Sequence, residues 1–88
     1  MVSKKVKIPC SAGLHLKPAG RLCNCAMRYD SRISFEFENT VANAKSVLSV
    51  LGACIRCGDE VTFICEGADE EEALAAVIQC LEDDREEE

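Results

Sequence analysis

Six residues, Gly13-Leu14-His15-Leu16-Lys17-Pro18, contain the only histidine of the 88-residue chain. They lie where a loop, Cys10-Ser11-Ala12-Gly13, gives way to a helical pattern. From Leu16 to Arg28, the apolar residues Leu16, Ala19, Leu22, Cys23, Ala26 and Met27 recur at three- and four-residue intervals. Pro18 falls just inside that pattern, where a missing N–H costs the helix nothing. His15 is therefore expected at the positive end of a helix, beside N–H groups that can receive an anion. A neutral imidazole in that place can attack phosphorus. Once phosphorylated, it is an anion that the same N–H groups and the charge of Lys17 stabilise. Holding a phosphoryl group between two partners needs no metal, cofactor, second acid or second base. On the residues alone, a surface or capping role for this histidine competes with the chemical one.

The elements that must position this stretch can be read along the chain. Val2 to Ile8 alternates, with Lys4 as the one break, and reads as a half-buried strand closed by Pro9. After the Leu16–Arg28 helix, Tyr29-Asp30-Ser31 forms a turn. Arg32 to Glu38 then alternates Ile33, Phe35 and Phe37 inward against polar residues outward. Asn39-Thr40 is expected to turn the chain into a short strand, Val41 to Ala44. Ser46 is a favoured N-cap for a short apolar helix from Val47 to about Cys54. Val47, Leu48, Val50 and Leu51 cover more than one face of it, so either some are exposed as a partner surface or all pack inward. Gly58-Asp59 turns into a strand, Glu60 to Glu66. Asp69 with Glu72 resembles a capping box opening a last helix, whose core stripe is Ala73, Leu74, Val77, Ile78 and Leu81. The acid run after Glu82 opposes the helix dipole and is expected to fray from about residue 83. The order β-α-β-β-α-β-α predicts an α+β fold. It is a two-layer open-faced sandwich, a four-stranded antiparallel sheet with three helices on one face, in one domain spanning residues 1–88.

Composition removes several function classes. The net charge is −6, with no Trp and one Tyr, which does not suit a nucleic-acid binder. The charge is lopsided: Lys4, Lys5, Lys7, Lys17, Arg21 and Arg28 stand in a stretch without acid, and much of the acid follows Glu66. No apolar run is long enough for a signal peptide or a membrane span, so a cytoplasmic location is expected. The seven cysteines are odd in number and irregular in spacing, unlike a secreted disulfide framework. Most read as small buried hydrophobes. Cys54 and Cys57 form a lone CxxC pair, too few for a structural zinc site, and leave a redox or metal module as a minor reading.

Gly13-Leu14-His15-Leu16-Lys17-Pro18-Ala19 resembles the active-site motif of the HPr family, the phosphocarriers of the bacterial sugar phosphotransferase system. Asn43-Ala44-Lys45-Ser46-Val47-Leu48 resembles the family's regulatory-serine segment, and Gly67 to Leu74 resembles the start of its final helix. The resemblance runs nearly the whole chain. It implies that His15 accepts a phosphoryl group that enzyme I takes from phosphoenolpyruvate, and passes it to sugar-permease IIA domains. Lys17 would stabilise the phosphate. Ser46 would be the target of an HPr kinase, and a catabolite-control transcription regulator would be a further partner. Leu16, Gly20, Arg21, Val47, Leu48 and Leu51 would form the partner surface. A carrier is not itself an enzyme, and a monomer suits one that docks with several proteins. Three positions depart from the family pattern: Lys17 stands for Arg and lacks its planar fork, Leu16 for a smaller Ala, and Ala12 for a Ser or Thr. The competing reading is an HPr-like regulatory protein acting mainly through Ser46. A stand-alone hydrolase has no visible nucleophile–base pair or metal set.

Overall fold

The computed structural model describes residues 1–9 and 13–85. The Cys10-Ser11-Ala12 part of the loop and the last residues of the acid run lie outside them. Seven elements follow in the expected order: β1 (Val2–Lys7), α1 (Leu16–Ala26), β2 (Arg32–Phe37), β3 (Thr40–Asn43), α2 (Val47–Gly52), β4 (Glu60–Glu66) and α3 (Glu70–Arg85). The strands form one antiparallel sheet in the order β1-β4-β2-β3, and the helices make it an open-faced sandwich.

Alternation along the strands decides which side chains meet the helices. Ile33, Phe35, Val61, Phe63 and Cys65 are fully buried on the inner face. Phe35 lies directly opposite Phe63 in the ladder, with ring centroids 6.1 Å apart and planes tilted by 48°, a favourable aromatic geometry. Helix α3 covers this face with Ala73, Val77 and Leu81, while Leu74 packs at the margin of the core. Lys4, the break in the first alternating run, stands opposite Phe63 on the inner face. It is tolerated because β1 is an edge strand: the ammonium reaches solvent while the stem runs beside Leu74 and Ile78. Helix α1 packs against both other helices and buries Pro18, Ala19, Leu22, Cys23 and Ala26.

Three expectations need correction. The hairpin turn is Glu38-Asn39, with φ of 50° and 66°, so the second strand starts at Thr40 and ends at Asn43. Two positive φ values in a row match the right-handed strand twist, and Asn tolerates that conformation. Helix α1 ends at Ala26, and Met27 is 66% exposed rather than part of the apolar stripe. Helix α2 ends at Gly52, because Cys54 takes a left-handed φ of 56° that no helix can continue. Helix α3 extends to Arg85, with Gln79 Nε2 donating to Asp83 Oδ1 at 2.9 Å, and residues 86–88 of the tail expected to fray lie outside the described residues.

The expected capping box at α3 is also not formed as read. The Asp69 carbonyl accepts from Ala73 N–H at 2.9 Å. Its carboxylate, however, turns to the start of β2 and accepts from Asp30 N–H (3.0 Å), Ser31 N–H (2.9 Å) and the Ser31 hydroxyl. Glu70 reaches back instead, with Oε1 accepting from Gly67 N–H at 3.1 Å. Gly67 has no room for a side chain: a Cβ would lie 2.7 Å from Ser31 Cα, and its φ is 153°. The Ser31 hydroxyl foremost, then the Asp30 N–H, hold the Asp69 carboxyl below its ordinary range. A depressed carboxylate stabilises the fold above its unfolded-state pKa, and that contribution disappears as pH falls through its folded-state pKa. Asp69→Asn is accordingly expected to lower Tm at neutral pH. Below the ordinary carboxylate range, near about pH 4, wild type and variant should converge, as read by thermal melts across a pH series.

Candidate phosphoryl-acceptor site

His15 is the N-cap residue of α1, with φ −81° and ψ −169°, and its side chain makes no capping hydrogen bond. It is exposed, as are Leu16 (69%) and Lys17, while Pro18 and Ala19 are buried. The helical ladder begins at Ala19 N–H, which donates to His15 C=O at 2.9 Å. Pro18 therefore sits at the last position before a donor is needed. The first-turn N–H groups of a helix point out past its N-cap, so an anion carried by His15 stands at the positive pole of α1. Of the two competing roles for this histidine, the side-chain cap is not formed, whereas the exposed surface position is.

The loop before His15 is held by the opposite end of α2. Leu14 N–H donates to Ile55 C=O at 3.0 Å, and both side chains are buried. Gly13, at φ +75°, passes so close that a Cβ would lie 2.5 Å from Ile55 O and 2.7 Å from Arg56 Cα. Only glycine meets both requirements. The 55–59 segment is itself braced. Arg56 N–H donates to the Asp59 carboxylate at 2.8 Å, Ile8 N–H to Asp59 C=O at 2.9 Å, and Gly58 N–H to Ile8 C=O at 2.9 Å. Neither Ile55 nor Arg56 stood out in the sequence. The glycine two residues before the histidine was the one local signal of a close approach.

Ser46 caps α2: its Oγ accepts from Ser49 N–H at 3.2 Å, and its carbonyl accepts from Val50 N–H at 3.0 Å. Lys45 Nζ donates to Tyr29 C=O at 2.7 Å and ties this turn to the end of α1. Of the expected partner surface, Leu48 is 79% exposed, whereas Val47 and Leu51 are half-buried and pack on the core through which Val50 anchors α2. Gly20 and Arg21 are half-buried, and nothing lies within 4 Å of where a Gly20 Cβ would be. Helices α1 and α2 touch, so exposed Leu16 and Leu48 belong to adjoining elements. Cys54 and Cys57 are exposed free thiols, and no cluster of three or more metal-ligating side chains occurs among the described residues.

Residues 2–83 match the family model described as the PTS HPr component phosphorylation site. The chain belongs to the HPr family. It is 36% identical to the phosphocarrier protein HPr of Treponema pallidum over the full length of both chains. It is 37% identical to the HPr-like protein Crh of Halalkalibacterium halodurans, over 93% of this chain and 98% of that one. Among solved structures, HPr-C-His from Thermoanaerobacter tengcongensis superposes with a TM-score of 0.94 at 33% identity, covering 100% of this chain and 99% of that one. HPr proteins are phosphocarriers of the phosphotransferase system rather than catalysts. No helix of the described residues is long and apolar enough to cross a membrane.

Two glycine substitutions should have opposite effects. Gly13→Ala is expected to destabilise by about 1–3 kcal/mol, through strain and displacement of the loop from Ile55, and to speed amide exchange at Leu14. Gly20→Ala, mid-helix and unobstructed, should stabilise by about 1 kcal/mol. Chemical denaturation checks both.

Proposed function

We propose that His15 accepts a phosphoryl group from enzyme I, charged by phosphoenolpyruvate, and passes it to sugar-permease IIA domains. The observation that carries this reading is the placement of His15. It is an exposed N-cap whose side chain is not used for capping, on a loop whose backbone is pinned to Ile55. An imidazole nitrogen forms the new N–P bond as the donor's bond to phosphorus breaks, with the electron pair leaving on the donor. The phosphoryl oxygens then lie at the positive pole of α1 with Lys17 beside them. Transfer to the IIA domain is the same displacement with the imidazole as leaving group. The chain acts in the cytoplasm as a carrier and not as an enzyme.

The exposed Leu48, with Leu16, Gly20, Arg21 and the margins of Val47 and Leu51, is the docking surface for these partners. Ser46 is the site for an HPr kinase. A phosphate there places charge beside that apolar surface and repels acidic partner sites. A catabolite-control transcription regulator would read the modified form. The chain works as a monomer in transfer, although an HPr dimer has been solved from Thermoanaerobacter tengcongensis. Similarity to Crh proteins at 37% identity supports a second reading, a regulator acting mainly through Ser46.

Incubation with phosphoenolpyruvate and a cognate enzyme I is expected to yield acid-labile, alkali-stable phosphate on the native protein and none on His15→Ala. Label from ATP and an HPr kinase on Ser46, without any His15 adduct, would establish the regulatory reading instead. Lys17→Arg restores the planar bidentate fork and is expected to raise the initial rate of His15 phosphorylation severalfold.

A further inference from the structure

The seam between α1 and α3 contains two thiols in contact. Cys25 comes from the last turn of α1 and Cys80 from α3, both half-buried, and their side chains are within hydrogen-bonding reach of each other. They line one open cleft of about 450 Å³, together with Arg21, Arg28 and Asp83. The other described cysteines differ: Cys23 and Cys65 are buried in the core, and Cys54 and Cys57 lie exposed in the turn after α2. Cys25 lies off the buried stripe of α1, so its position answers to α3 and not to core filling.

We propose that Cys25 and Cys80 are a dithiol modification site that a low-molecular-weight, anionic disulfide such as glutathione disulfide converts into a staple between α1 and α3. The chemistry is two exchanges. One cysteine thiolate attacks the small disulfide, forming a mixed disulfide and releasing the first small thiolate. The neighbouring thiolate then attacks the protein-bound sulfur, forming the Cys25–Cys80 bond and releasing the second. Two protein thiols are oxidised, one small disulfide is reduced to two thiols, and the protons pass to solvent. The cleft admits the reagent, and the guanidinium of Arg28 offers charge to its carboxylates. Burial raises the Cys25 thiol, and Arg28 and the Cys80 side chain oppose that rise. The proposal is independent of the phosphocarrier reading.

The test uses the full chain, incubated with glutathione disulfide in its native state, alkylated, and analysed by intact mass and non-reducing peptide mapping. The expected product is lighter by two hydrogens, links the Cys25 and Cys80 peptides, and melts roughly 5–15 °C higher, with dithiothreitol reversing all three. A Cys10→Ser/Cys54→Ser/Cys57→Ser variant should form the same link, and Cys80→Ser should stop at a glutathione adduct on Cys25. A link that maps to other cysteines would overturn the proposal. So would a link lost in the triple variant, or recovery of Cys25 and Cys80 as alkylated thiols.

Discussion

The backbone seam between Gly13-Leu14 and Ile55-Arg56 is the constraint on which the site depends. One hydrogen bond, from Leu14 N–H to Ile55 C=O, and one contact too close for any side chain at Gly13 join segments far apart in the chain. Without that join, the loop before α1 would be a surface connection with the conformational freedom such loops have. With it, His15 enters α1 from a fixed direction. The segment that supplies the carbonyl is the exit of α2, which links the start of α1 to the helix that Ser46 caps and that carries Leu48. Its own rigidity comes from Asp59, whose backbone and carboxylate serve the end of β1 and Arg56.

The sheet and α3 provide what the seam is fastened to. Phe35, Phe63, Val77 and Leu81 are among the buried residues that make the core continuous from β2 and β4 to α3. Large-to-small changes in such a core typically cost about 2–5 kcal/mol. The Asp69 carboxylate closes the far end by holding Asp30 and Ser31. Both polar devices, Asp59 and Asp69, spend a carboxylate on backbone N–H groups at a chain reversal, where the donors lack ladder partners. Small domains bury thin cores, so fastenings of this kind set the geometry that apolar packing leaves loose.

The proposed carrier role asks that His15 be exposed and still be held in one place. Exposure of His15, Leu16, Lys17 and Leu48 satisfies the first need. The pinned loop and the buried Pro18-Ala19 pair satisfy the second. The positive pole of α1 is the electrostatic complement that the proposed phosphoryl group would meet. The same α1 packs on α3 along the seam that contains Cys25 and Cys80, so this helix is braced at both its ends.

Local patterns in the sequence determined much of this. Alternation placed Ile33, Phe35, Val61, Phe63 and Cys65 inward, helical spacing found most of the cores of α1 and α3 but wrongly included Leu16, Met27 and Ile78, and Ser46 announced itself as a cap. Each is a short-range rule that a few neighbouring residues satisfy. The helix start at His15 was legible for the same reason, because Pro18 suits a first turn and the positive pole of a helix lies at its start wherever the chain goes. Tertiary structure alone decided the rest. Ile55 as the anchor of Leu14, Asp69 turned toward Ser31 instead of Glu72, and Cys25 against Cys80 are all contacts between distant segments, to which local periodicity is blind. Even the one-residue shift to a Glu38-Asn39 turn was settled by pairing, because strand twist and ladder register, not composition, select which residues take positive φ.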